Sequence, residues 1–90
     1  MTEKYDYMFK WIKQATKPER HIDEVEEFAK KHPVLFMKYH NLFKPIVSLD
    51  ETDEKYIEAK EKLIKLFSEN EDKFRPVLGA VKEKFAGKYF

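Results

Sequence analysis

The sequence predicts an all-α fold, a compact bundle of four to five short amphipathic helices, on three observations. Apolar residues recur at helical spacing along the chain, and no alternating strand pattern interrupts them. Capping-type residues followed three positions later by Glu, together with helix-opening prolines, punctuate the chain at short intervals. Ninety residues, 42% hydrophobic and 16% aromatic, suffice for one modest core, and with no Cys that core is built without disulfides. A single helical domain over residues 1–90 is therefore expected.

The first helix is placed over residues 3 to 15, because Tyr5, Met8, Phe9 and Ile12 follow the i, i+3, i+4, i+7 pattern and Ala15 extends it. Thr16-Lys17-Pro18-Glu19 then reads as a capping box, with the Thr16 hydroxyl accepting from the Glu19 amide and Pro18 tolerated in the first turn. It opens a second helix over residues 18 to 31. That helix has a stripe of Ile22, Val25, Phe28 and Ala29, acids in its first half, and Lys30 and Lys31 at its end, an order that complements the helix dipole.

Pro33 disfavours helical geometry at His32, so a sharp corner without Gly leads into a third helix over residues 33 to 43. Leu35, Phe36, Tyr39, Leu42 and Phe43 make it the most apolar segment, hence the expected central helix, with Lys44-Pro45 ending it. Ser48-Leu49-Asp50-Glu51 reads as a second capping box before a fourth helix over residues 50 to 68, with a core stripe of Tyr56, Ala59, Leu63, Leu66 and Phe67. Ile57 and Ile64 lie on its flank and are expected to pack on the third helix. A further cap at Ser68-Glu69-Asn70-Glu71 conflicts with Pro76, so a break or kink is expected before that proline. Val77, Leu78, Val81 and Phe85 then define a last helix over residues 76 to 86, with Gly87 as its C-terminal cap and Tyr89-Phe90 as an aromatic tail.

Composition removes several classes of function. Eighteen basic residues against 17 acidic ones leave a formal charge of +1, which gives no bulk argument for nucleic acid or for an acidic mimic of it. No run approaches the roughly 20 apolar residues that cross a bilayer, and the N-terminus lacks a basic stretch followed by an apolar one. A cytoplasmic, non-membrane protein is the expectation, as a monomer or weak homodimer. Lys outnumbers Arg by 16 to 2, a bias of AT-rich coding that fits a low-GC microbe or its virus.

Motifs for chemistry are missing. His21, His32 and His40 form no Glu-x-x-His or His-Glu-x-x-His spacing, so no metal ligands are assigned. Ser48 and Ser68 sit at capping positions, and Gly79 and Gly87 are isolated, so neither a nucleophile elbow nor a phosphate loop is present. The sequence reading is a non-enzymatic accessory or regulatory protein without a cofactor.

Two features stand out as binding surfaces. On the first helix Tyr7 and Trp11 lie roughly 110 to 150° away from the core stripe. Exposed, they would form an aromatic patch for a protein partner, joined by Tyr89 and Phe90 of the tail; buried, they would mark a helix sandwiched on two sides. The second feature is the stretch from Phe28 to Leu49, 22 residues without one acid. Its Lys30, Lys31, Lys38 and Lys44, interleaved with aromatics, give the alternative reading of a nucleic-acid-binding surface. A helix-turn-helix is excluded by the apolar start of the third helix, Pro33-Val34-Leu35-Phe36-Met37, where base-reading residues would belong.

Overall fold

Short connections and two-sided apolar helices force a bundle in which the longer helices meet their neighbours through their stripes. The computed structural model describes residues 2–89 and contains a 3-10 turn, Thr2–Tyr5, followed by α1 (Asp6–Gln14), α2 (Lys17–Arg20), α3 (Asp23–Lys31), α4 (Pro33–Ser48), α5 (Glu54–Glu69) and α6 (Glu71–Phe85). Among the described residues there is no strand, and no helix is long and apolar enough to cross a membrane. The radius of gyration, 12.2 Å, equals the about 12 Å of a close-packed chain of this length.

The most deeply buried helix is α1: Met8, Phe9, Trp11 and Ile12 are all buried in it, and it packs against both α4 and α6. The most apolar segment, α4, does meet three helices, α1, α3 and α5, but it buries only Tyr39 and Ile46 and leaves Val34 and Met37 in solvent. Mean apolar content identifies a helix that needs neighbours; it does not say how many sides they cover.

The Thr16 capping box forms as expected, with Glu19 N–H on the Thr16 hydroxyl and the Glu19 carboxylate on the Thr16 amide, 2.9 Å. The helix it opens is only four residues long. The chain becomes extended at Ile22, whose carbonyl then accepts from Val25 and Glu26 to start α3. This break separates two jobs: Arg20 of α2 donates to the Ile12 carbonyl of α1, 2.9 Å, while α3 turns Val25 and Phe28 towards α4 and α6.

The Pro33 corner also forms, with His32 ending α3 and Pro33 opening α4. Pro45 does not end α4, which runs on to Ser48. A proline removes one hydrogen bond to the carbonyl four residues back. That carbonyl belongs to solvent-exposed Asn41, where water can replace the bond, and the extra turn buries Ile46 completely. Ser48, placed in that last turn, donates to the Lys44 carbonyl and caps nothing. Asp53 instead accepts from the Lys55 amide, 2.8 Å, and starts α5 four residues later than expected. The break before Pro76 is confined to Asn70, after which α6 continues through the proline; the stripped carbonyl is again on an exposed residue, Asp72.

The core is an aromatic lattice around Phe67. Its ring lies 5.4 Å from Tyr5, 6.2 Å from Tyr39 and 5.1 Å from Phe74, so it joins the N-terminal turn, α4, α5 and α6. Such tilted and edge-on ring pairs add to simple area burial. The ends are stapled by charge: Glu71 accepts from both Lys4 and the Tyr5 hydroxyl at 2.8 Å, which holds its carboxyl below the usual range.

Candidate functional site

The aromatic patch expected on α1 does not exist as a surface. Trp11 is fully buried, 0% exposed, with its indole 5.8 Å from the Phe85 ring. Tyr7 is half-buried against the core, with the Lys82 ammonium 5.2 Å from its ring centre, and burial pushes its hydroxyl pKa up. The physical reason is the sandwich: α6 brings its own stripe to the flank of α1 that the first apolar stripe leaves open. Tyr89 continues the stack through Phe85, 5.8 Å away, and Phe90 lies outside the described residues. Ile57 departs in the opposite direction. It is 47% exposed on the rim of a groove between α1 and α5, while Ile64, which lines the same groove, is partly buried against the core.

Tyr89 has a second partner that the sequence did not signal. Its hydroxyl donates to the Glu19 carboxylate, as does the Lys88 ammonium, so the C-terminal tail is tied to the four-residue α2. The Lys88 hydrogen bond, then the Thr16 amide and Tyr89, hold the Glu19 carboxyl down at about 2, below its ordinary 4.5. A carboxyl lowered in the folded state stabilises it above the unfolded pKa and ceases to do so as pH falls through the folded one. The tail is therefore expected to detach from α2 between about pH 4.5 and pH 2. NMR resonances of the Tyr89 ring should report the step, and Glu19→Gln should remove it; a Tyr89 environment unchanged at pH 2 would refute the link.

The acid-free stretch becomes the end of α3, the His32 corner and all of α4. Lys30, Lys31, Lys38 and Lys44 are exposed, and among the described residues none of them is in an ion pair, whereas Lys4, Lys60, Lys62, Lys84 and Lys88 each have one. On α4, Lys38 and Lys44 share one strip with Asn41 and with two large apolar residues in solvent, Val34 at 68% exposure and Met37 at 65%. Lys38 also borders a shallow groove of about 450 Å³ against α5, whose other cations are Lys62 and Lys65 and whose single acid is Glu69.

A different face of α4, about 150° around the helix, closes a pocket of about 270 Å³ with α2 and the start of α3. Phe36, Tyr39, His40 and Phe43 form one wall at i, i+3, i+4, i+7 spacing. The His40 ring stacks on Phe36 at 6.0 Å with 21° between planes, and Tyr39 stacks on Phe43 at 5.8 Å and 12°. Lys17, Arg20 and His21 form the opposite wall, with Val25 between. Arg20 sits over the Phe43 ring, 5.8 Å from its centre, and is fixed there by its bond to the Ile12 carbonyl. Burial raises the Tyr39 hydroxyl pKa steeply, and Arg20 offsets part of the rise. Helical spacing put Phe36, Tyr39 and Phe43 on one face of α4; that the short α2 would fold over it depended on the break at Ile22.

Among the described residues no three His, Asp or Glu side chains converge in a way that could hold a metal ion. The chain matches no protein-family model, and no curated protein and no solved structure is significantly similar to it. Fold and surface together define the class: a small all-α bundle with one acid-free, apolar-and-basic helix face.

Proposed function

We propose that this protein is a small non-enzymatic binding module whose partner is another protein, engaged through the outer strip of α4. The observation that carries the reading is the pair Val34 and Met37, 68% and 65% exposed, on a strip with unpaired Lys38 and Lys44 and no acid. Large apolar side chains that protrude side by side are a feature of interaction surfaces more than of idle ones. Methionine adapts its shape to a partner at low cost. The lysines at the rim favour a partner whose apolar contact is bordered by Asp and Glu, and they disfavour a second copy of this chain, since a face-to-face pair would oppose lysine to lysine.

The alternative partner is nucleic acid, and one observation favours it: Lys62 and Lys65 extend the basic strip across the groove beside Lys38. Phosphates, however, gain nothing from Val34 and Met37, the two most exposed large hydrophobic side chains among the described residues. Affinity capture from the source cells compares the wild type with a Val34→Ser, Met37→Ser double variant, whose fold should be unchanged because both side chains are in solvent. A specific protein retained by the wild type and depleted at least about tenfold by the double variant supports the reading; equal retention refutes it. Single-stranded or duplex nucleic acid bound at about 50 mM salt and released at about 200 mM, with loss on Lys30, Lys31, Lys38 and Lys44→Gln, moves the function to the alternative.

A further inference from the structure

We propose that the pocket between α2, α3 and α4 is a binding site for a small planar aromatic anion, a single ring that carries a carboxylate or a phosphate. This site is independent of the outer strip of α4.

The lining separates by chemistry. One side consists of ring faces, Phe36, Tyr39 and Phe43 with His40 stacked among them, and such a wall receives a flat apolar group. The other side presents Lys17 and Arg20, and no carboxylate lines the cavity in a chain that has 17 acids. A neutral ligand would leave those cations unused, and a cationic one would meet like charge.

The cationic wall is held in place before any ligand arrives. Arg20 commits one nitrogen to the Ile12 carbonyl and lies over the Phe43 ring, so its remaining N–H donors are oriented with little freedom left to lose. The α2 segment that carries it is fixed by the Thr16–Glu19 capping box and by the tail contacts of Lys88 and Tyr89 to Glu19. Four residues of helix would not hold such a geometry alone.

A hydroxyl completes the site. Tyr39 is 7% exposed as a residue, lines the cavity next to Arg20, and makes no hydrogen bond within the described residues. Its hydroxyl is not sealed from solvent and is free to donate to an oxyanion beside Arg20. Volume sets the ligand size: 270 Å³ falls just below the roughly 300 Å³ at which pockets for drug-sized molecules begin. One ring with its acidic group is what remains.

The test is an NMR titration of the full chain with benzoate and with phenyl phosphate, followed through the ring resonances of Phe36, His40 and Phe43. Expected is saturable binding of one or both, with a dissociation constant on the order of 0.1–1 mM for so few atoms. The two probes distinguish a carboxylate ligand from a phosphate ester. Benzamide, with the same ring and no charge, and acetate, with the charge and no ring, should each bind at least about tenfold more weakly. Arg20→Gln should weaken the preferred probe by about tenfold or more; because it also loses the tie to Ile12, Lys17→Gln provides a second variant outside that tie. No saturation by about 10 mM, equal binding of benzamide, shifts confined to the α1–α5 groove, or affinity unchanged in both variants would each overturn the assignment.

Discussion

Trp11→Ala is expected to lower the folding stability by about 3–5 kcal/mol, the usual range for removing a buried tryptophan. For a chain of 90 residues this corresponds to a fall in Tm of about 15–30 °C. The magnitude follows from position. Trp11 is fully buried in the helix that lies between α4 and α6, and its ring meets Phe85, so the deletion opens a cavity at the centre of the bundle that three helices cannot collapse around together. A surface tryptophan would cost no more than about 0.5 kcal/mol, so thermal or urea unfolding of this one variant separates the two roles without reference to any partner. Trp11→Phe should cost far less than Trp11→Ala. The indole Nε1 is buried without an acceptor, and its removal relieves a donor that the fold leaves unpaired, offsetting part of the lost ring volume. A wild-type-like Tm for Trp11→Ala would contradict the sandwich.

Why local pattern leaves this residue open between surface and core explains what a sequence of this kind can reveal. Periodicity identifies faces: the stripe of Met8, Phe9 and Ile12, the Val77, Leu78, Val81 and Phe85 stripe, and Tyr56, Ala59, Leu63 and Phe67 all lie in the core where spacing put them. Capping chemistry identifies starts when it is unopposed, as at Thr16 and Pro33. What periodicity does not contain is the number of neighbours. Tyr7 and Trp11 are off-stripe on α1 in the same sense that Val34 and Met37 are off-stripe on α4, yet α6 covers the first pair and no described residue covers the second. The difference is tertiary, set by which helix returns to which flank.

The boundaries that moved did so for a related reason. Lys44-Pro45 is a stop by local rules, but burial of Ile46 stabilises one more turn, and the bond lost at exposed Asn41 is replaceable by water. Conversely, nothing local ends the second helix at Arg20; the break at Ile22 lets Arg20 reach α1 while Val25 and Phe28 reach α4 and α6. The pocket wall was therefore half legible. Spacing placed Phe36, Tyr39 and Phe43 on one apolar face, though as core and without His40, and the cations that face them came from a segment whose direction only the break determines.

Phe67→Ala is expected to cost about 3–5 kcal/mol as well, and its consequences should extend to the pocket. Phe67 is fully buried and contacts rings from four elements, with Tyr39 of α4 among them at 6.2 Å. Tyr39 in turn stacks on Phe43, which carries Arg20 over its face. The core thus supports the aromatic wall from behind through two ring pairs, Tyr39 with Phe67 and Tyr39 with Phe74, both at 6.2 Å, and interiors packed to crystal-like density pass a displacement on to the next side chain instead of absorbing it. Phe67→Leu keeps most of the volume and should cost only about 1–2 kcal/mol, leaving a folded protein in which this effect can be read. In that variant the ring resonances of Tyr39 and Phe43 are expected to shift, while those of Tyr89, which reaches α2 from the other side through Glu19, stay in place. Shifts at Tyr89 as large as those at Tyr39 would mean that the bundle loosens as a whole, and that the pocket has no rigid backing of its own.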